Sequence, residues 1–503
     1  MSDSTSGRWI LAATILGSAM AFIDMTVVNV ALPVLQTSLN TSVAGAQWIV
    51  EAYALALSSL VLVGGTLADR YGRRRTFTIG AVVFAAASLA CALAPGIAWI
   101  VAARGLQGIG AALLLPSSLA LLGAAFPARS RGRAVGTWSA LTTVASGSGP
   151  LLGGWLVQAV SWRAVFFLNL PFAAAVLLIT LQRVPESRNS SASRLDWSGA
   201  LLVTLGLGAL VYGLIEAPTA GWGDPRVWGP VAAGAAALAA FVAVERRSRD
   251  PMVSPELFRV RTFTAANLLT LFLYAALSGV LFFLPFALIQ ARGYSAAEAG
   301  AAILPLVVLI SLLSPVAGRF ADRVGPRLPL TVGPLVASAG FVLLALARSG
   351  SPYAVSVLPG LSVLGLGMAI VVAPLTAAVL NAAGAKRSGA ASGINNAVAR
   401  VAGLLAIAVF GIAATAAFNR ALERGLDAAA VPAPLRQALA PERSKLGAMK
   451  PPAGASESEA RAISSAIRSA LDAGFRVAAL SSAALALLAS ACAAWGVRNP
   501  KKG

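Results

Sequence analysis

The sequence predicts an all-α membrane protein of fourteen transmembrane helices, arranged as two six-helix bundles with an inserted central helix pair and both termini cytoplasmic. Three observations carry this expectation: a low charge content, a succession of long apolar runs, and a short motif that occurs twice.

Only 12% of the 503 residues are charged and 58% are hydrophobic. Soluble domains carry about 25% charged residues. A chain with half that content cannot cover its surface with ions, so most of that surface must face lipid. The apolar runs are about 20 residues long, enough to cross a hydrocarbon core of about 30 Å as helix. They are rich in Gly, Ala and Leu without period-two alternation, which excludes an outer-membrane barrel. The formal charge of +20 sits in short clusters between the runs. No basic groove of useful length remains for nucleic acid.

The expected spans are 9–33, 46–68, 76–95, 97–125, 134–160, 164–181, 197–215, 227–244, 263–290, 297–318, 328–347, 353–380, 389–418 and 474–496. The seventh and eighth are the weakest; without them the count is twelve. The first run continues through Val34, so it reads as a retained span and not as a cleaved signal peptide. Orientation follows from the loops. The Arg70/Arg73–Arg75 cluster, Arg129/Arg131/Arg133, Arg183/Arg188/Arg194, Arg246/Arg247/Arg249, Arg319/Arg323/Arg327, Lys386/Arg387 and Arg498/Lys501/Lys502 all fall on one side. Short loops on the other side hold only Arg163, Arg226, Arg292 and Arg348. Positive charge stays inside, which places both termini in the cytoplasm. The outer segment 419–476 is an exception, with basic residues from Arg420 to Arg476, but long segments translocate regardless of charge. It also carries five prolines, then a capping-box pattern from Ser456 to Glu459 and apolar residues at Ile463, Ile467, Leu471 and Phe475. That spacing predicts a small amphipathic helix leading into the last span, within what is otherwise a spacer.

The repeated motif is Gly65-Thr-Leu-Ala-Asp69-Arg70-Tyr-Gly72-Arg73, which recurs as Gly318-Arg-Phe-Ala-Asp322-Arg323-Val-Gly325-Pro326. Both copies follow an even-numbered span. Two halves of like topology are the plan of a two-bundle transporter. The expected division is 1–182, a linker 183–262 holding the extra pair, and 263–503.

Few residues can carry chemistry. There is no histidine, and Cys91 and Cys492 lie far apart within apolar spans, so neither a metal site nor a disulfide framework is expected. No nucleophile clusters with a base, so no enzyme activity and no cofactor is expected. Asp24 and Glu51 are acids within the first two spans. A carboxylate near the bilayer centre costs about 2.5–3.5 kcal/mol on insertion scales. Burial disfavours its charged form, which suits a group that must cycle between proton-bound and ionised states. Neutralising Asp24 is therefore expected to relieve a cost. Arg104 in the fourth span keeps its proton and cannot be a carrier. It can bias a neighbouring carboxylate or hold a freed backbone carbonyl. Asn395, Asn396 and Arg400 in the thirteenth span cannot share one helix face, and read as helix–helix hydrogen bonding. In the fifth span Gly136, Ala145, Gly149-Pro150 and Gly153-Gly154 combine a helix-bending proline with small residues that allow close approach.

Taken together these segments resemble the major facilitator superfamily, and within it the fourteen-helix drug–proton antiporters of the EmrB/QacA type. Asp24-Met-Thr-Val-Val-Asn29-Val-Ala-Leu-Pro33 is similar to the first-helix signature of that branch, Gly65–Arg75 to the superfamily loop, Arg104-Gly-Leu-Gln107-Gly-Ile-Gly110 to the fourth-helix motif, and Gly136–Gly154 to the antiporter motif, with Ala145 in place of its usual glycine. The resemblance implies a major facilitator fold and a monomer in the bacterial cytoplasmic membrane. It implies export of amphipathic, cationic compounds against protons by alternating access, or export of a lipid or endogenous metabolite by the same machinery. It assigns proton coupling and substrate binding to Asp24, Glu51, Arg104, Asn29 and Gln107. It assigns a cytoplasmic latch to Gly65, Asp69, Arg70, Gly72 and Arg73, with Asp322 and Arg323 as the degenerate copy.

Overall fold

The computed structural model describes residues 2–188, 196–247, 255–347, 349–384 and 388–499. The loop cations Arg194, Arg249, Arg348, Lys386, Arg387, Lys501 and Lys502 lie outside the described residues. Among those described there is helix and no strand. This is the solution that lipid enforces, because a helix satisfies its backbone hydrogen bonds within itself.

The long helices are α1 (Ser2–Ser38), α2 (Val43–Tyr71), α3 (Arg73–Ala92), α4 (Ile97–Ala125), α5 (Ala128–Ala159), α6 (Asn169–Arg183, after a single turn Ala164–Phe167), α7 (Trp197–Ala220), α8 (Pro225–Arg247), α9 (Arg261–Phe286, ending in a π-helical turn Ala287–Ala291), α10 (Leu304–Val324), α11 (Arg327–Leu346), α12 (Leu358–Ala383), α13 (Ser388–Ala428) and α14 (Glu457–Gly496). Thirteen described segments are long and apolar enough to cross a membrane. The expected fifth span is the difference. Helix α5 has 32 residues, but its Thr142-Thr-Val-Ala-Ser-Gly-Ser-Gly-Pro150 stretch dilutes its apolar character.

Residues group by packing into two compact units: Met1–Ala31, Trp48–Leu210 and Ala232–Met252 in one, and Leu32–Gln47, Val211–Val231 and Val253–Gly503 in the other. The core of the first is built on Ile10, Met20, Tyr53, Leu57, Phe77, Phe84 and Leu114. Helix α8 buries only 11% of its apolar window, as expected for a peripheral helix facing lipid.

The repeat seen in the sequence has a structural counterpart. Gly72 and Gly325 adopt positive φ angles of 117° and 86°, a region that favours glycine, at the entry to α3 and α11. In the first copy Glu186, just beyond α6, accepts backbone hydrogen bonds from Arg74 (3.0 Å) and Arg75 (3.1 Å). In the second, Asn499, just beyond α14, accepts from the backbone of Arg327 (3.1 Å). Each cap satisfies donors that the first turn of a helix leaves open. A Cβ on Gly72 would lie 2.7 Å from the Glu186 carboxyl carbon, and one on Gly325 would collide with the Asn499 side chain.

The segment 419–476 is more structured than the expected spacer. Helices α13 and α14 have 41 and 40 residues. At 1.5 Å per residue each is about 60 Å long, twice the hydrocarbon core, so about half of each extends beyond it. The expected small amphipathic helix is the first half of α14, continuous with the last span. Its capping box between Ser456 and Glu459 is formed. Ile463, Ile467 and Leu471 join Phe418, Leu422, Leu426, Leu439 and Met449 in a separate apolar core.

Replacing Glu186 by alanine removes two cap bonds and is expected to cost about 1–2 kcal/mol. Thermal unfolding of the purified protein measures this; a variant as stable as the parent would show that the cap is not made.

Candidate transport site

A cluster of buried polar residues of the first unit, Asp24, Ser88, Gln107 and Asn169, gathers around Arg104. Arg104 and Gln107 are three residues apart on α4 and therefore share a face. Arg104 Nη1 donates to Asp24 Oδ2 on α1 (2.5 Å) and to Gln107 Oε1 (2.7 Å). The other carboxylate oxygen, Asp24 Oδ1, accepts from Gln107 Nε2 and from Asn169 Nδ2 on α6, both at 2.8 Å. Gln107 and Asn169 also donate to Ser88 Oγ on α3, at 2.8 and 2.7 Å. Arg104 Nε donates to the Ile49 carbonyl of α2 (3.0 Å), and its guanidinium stacks 4.3 Å from the Tyr53 ring centroid. Asp24 and Arg104 are each 1% exposed.

Close helix approach makes this geometry possible. Gly108 lies one turn beyond Arg104, and a Cβ there would sit 2.5 Å from the Tyr53 carbonyl. Its absence lets α2 come near enough for Ile49, one turn before Tyr53, to receive the Arg104 bond. Arg104 thus pairs with a carboxylate and also bonds a backbone carbonyl within α2.

The ion pair reverses the expected effect of neutralising Asp24. Removing one partner of a buried pair leaves the other charge uncompensated, at about 3–5 kcal/mol. The desolvation cost that the sequence attaches to Asp24 is already offset by Arg104.

Glu51 differs. It is fully buried, and neither carboxyl oxygen has a hydrogen-bond partner among the described residues. At 100° per residue it points about 200° away from Ile49 and Tyr53, so it turns its back on Arg104. An ionised carboxylate without partners meets the full cost of desolvation. Asn29 Oδ1 is likewise buried without a partner.

The small residues of α5 pack on α1 just beyond Asp24. Thr26 Oγ1 donates to the Ser146 carbonyl (2.9 Å). A Cβ on Gly149 would collide with Thr26, and one on Gly153 would lie 2.8 Å from the Val27 carbonyl. Pro150 and Gly154 are buried in the same stretch. A Cβ on Gly136 would meet nothing within 4 Å, so its smallness serves no packing here.

The loop motif lies apart from this cluster. Asp69 accepts from Arg73 Nε (2.9 Å) and Nη2 (2.7 Å), which ties the end of α2 to the start of α3 across Gly72. Arg70 is exposed and stacks on Tyr71, and Gly65 lies near Pro116 of α4. Asp322 and Arg323 are exposed beside a cavity of about 610 Å³. Four residues after Asp322 stands Pro326, so the Asp69–Arg73 pair has no counterpart there. In the second unit Asn395 donates to Asn267 (3.2 Å) and Thr270 (2.7 Å) of α9, an interhelical bond as expected, whereas Asn396 donates to its own helix at Ser392.

Ser88 and Asn169 are site residues that sequence reasoning misses. A serine among alanines carries no signal. Asn169 is noticeable only as a lone amide in an apolar run.

A family model for the Major Facilitator Superfamily matches residues 14–407, and the chain belongs to that family. It is a multi-pass membrane transporter. It is 39% identical to the multidrug resistance protein Stp of Mycobacterium tuberculosis over 428 residues, covering 85% of this chain and 79% of that protein. It is 34% identical to the tetracenomycin C resistance and export protein of Streptomyces glaucescens over 486 residues, covering 96% and 90%. Its fold is similar to that of a bacterial homolog of the human lysosomal transporter Spinster, with a TM-score of 0.67, 19% identity and 97% of each chain covered.

Asp24→Asn and Arg104→Gln are each expected to destabilise the protein by about 3–5 kcal/mol, and the double variant by clearly less than their sum. Thermal unfolding in detergent reads this. Additive losses would mean that the two charges do not compensate each other.

Proposed function

We propose that this transporter exports amphipathic, cationic drugs or toxic compounds across the bacterial cytoplasmic membrane, in exchange for protons, by alternating access. The observation that carries the reading is the pairing of a satisfied ion cluster with an unsatisfied acid: Asp24 is held by Arg104, Gln107 and Asn169, while Glu51 is buried without partners. The names of the relatives, a multidrug resistance protein and a tetracenomycin C resistance and export protein, support export of drugs. In this reading Glu51 takes up the proton and Asp24 presents charge to the substrate when Arg104 releases it. Asn29 and Gln107 supply polar contacts. One proton moving down 100 mV provides about 2.3 kcal/mol. The same reading has fourteen spans including α5, bundles at 1–182 and 263–503, both termini in the cytoplasm, and a monomer.

Proteoliposomes with an imposed proton gradient, offered a panel of cationic and neutral compounds with and without an uncoupler, test it. Cation transport should collapse with the uncoupler. Transport indifferent to the uncoupler would exclude proton coupling. Glu51→Gln should abolish gradient-driven accumulation while leaving the unfolding temperature unchanged or raised, since it removes an unpartnered acid.

Asp69 and Arg73 form the charged part of the proposed latch. Asp69→Asn loses charge-assisted bonds worth about 1.5–3 kcal/mol each, enough to move a two-state population about ten- to hundredfold. Turnover should fall with little change in substrate affinity, and Asp322→Asn should do less. A fall in affinity with turnover intact would rule out the latch.

A further inference from the structure

The second unit holds a cavity of about 390 Å³ that the transport reading does not use. It lies between the end of α9, the loop after α11 and the extended first half of α14. Three backbone features shape it. The π-helical turn Ala287–Ala291 ends α9, and Gly293 (φ 73°) then reverses the chain; Gly350 (φ 85°) turns the loop after α11. Ser465, Arg468, Ser469 and Asp472 stand at i, i+3, i+4 and i+7 of α14, so one face of that helix lines the cavity. The opposite side of the same stretch, Ile463, Ile467 and Leu471, fills the apolar core.

The informative residue is Arg292, whose side chain is 4% exposed. Nη2 donates to the Ala347 carbonyl at 3.2 Å. Nε and Nη1 have no hydrogen-bond partner among the described residues. Asp472 comes only to 3.6 Å from Nε, too far for a hydrogen bond, and itself accepts from Ser349. A guanidinium presents five donors in a planar fork suited to a carboxylate or phosphate. Here two of its three nitrogens are buried without a hydrogen bond, Nε only within ion-pair range of Asp472, and the residue lines the cavity. With Arg292 and Arg468 against Asp472, the lining carries one net positive charge, and Ser465 and Ser469 add hydroxyl donors, while the Ser349 hydroxyl is already given to Asp472.

We propose that this cavity binds an oxyanion of the phosphate type, with Arg292 as the buried anchor, Arg468 as the second cation at the mouth, and Ser465 and Ser469 as auxiliary donors. The volume is about thirteen waters' share of liquid. That exceeds what a free ion needs and leaves room for a group attached to it. In the proposed orientation the cavity opens at the outer face, where a lipid headgroup and a soluble phosphate are both sources of this chemistry. Asp472 moderates the site, because its carboxylate opposes an anion beside the same Arg292.

The test uses the purified full-length protein and two probes. Inorganic phosphate is titrated in detergent at constant ionic strength against thermal unfolding. In parallel, nanodiscs of phosphatidylcholine with and without phosphatidylglycerol are compared by the same readout. Saturable stabilisation by inorganic phosphate identifies a soluble oxyanion site; stabilisation by phosphatidylglycerol alone identifies a headgroup site, and both support the proposal. Arg468→Gln lies on an exposed surface and should fold; it should weaken the effective probe by about tenfold or more. Asp472→Asn should bind the same probe several-fold more tightly, which a purely structural role for this cluster would not produce. The proposal is overturned if neither probe stabilises the protein, if Arg468→Gln binds as the parent does, or if Asp472→Asn binds no more tightly.

Discussion

A guanidinium cannot shed its proton inside a protein, and Arg104 is almost wholly removed from solvent. The first unit is organised around that constraint. Asp24 neutralises the charge, Gln107 and Asn169 both donate to its other oxygen, and Ser88 joins the two amides. The backbone takes part as well, through Ile49. Five helices, α1, α2, α3, α4 and α6, thereby meet at one charged point. Lipid supplies no hydrophobic force between helices, so such polar junctions and small-residue contacts set their packing. The two devices are coupled here. Gly108 brings α2 close, and that closeness puts the Ile49 carbonyl within reach of Arg104.

Two acids in adjacent helices consequently have different physical lives. Asp24 is an ion with a counter-ion and two further donors. Glu51, on the far side of α2 from Arg104, has neither. Separation by helix face keeps protonation of one from directly rearranging the partners of the other. Any link between them must pass through a movement of α2, whose Ile49 carbonyl is bonded to Arg104. A carbonyl bond to a cation is weaker than an ion pair and is the more easily exchanged of the two.

Much of the helical plan is legible in the sequence, because a membrane span is written in consecutive residues and needs no knowledge of tertiary partners. The same holds for the capping box at Ser456 and the repeat at Gly65 and Gly318. Legibility fails where the decisive fact is a partner. Asp24 and Glu51 look alike as acids within apolar runs; only the fold shows that one is paired. Ser88 and Asn169 are ordinary residues until α3 and α6 are brought to α1. The outer segment hides its structure for another reason. Its five prolines and basic residues look like a loop, yet the prolines fall between the ends of α13 and α14 while Arg420, Arg424, Arg461, Arg468 and Arg476 stand on those helices, and the apolar spacing continues through their ends. Helix α5 reads as a span on its small residues, and those same residues lower its apolar character.

The two copies of the loop motif show how a repeat can keep geometry while losing charge. Glycine with positive φ, a following helix and a cap from beyond the last helix of the same half recur in both. The cap is a carboxylate in the first copy and a neutral amide in the second. Asp69 has Arg73 four residues on, whereas Asp322 has a proline there. Backbone requirements are met equally by Glu186 and Asn499, since each provides an acceptor to open amides. Electrostatic requirements are not. A carboxylate at a helix N-terminus interacts with the helix dipole and with the Arg73–Arg75 cluster, and an amide does so only weakly. The shape of the motif is therefore kept in both copies, while the acid–arginine pair across the glycine is made only in the first.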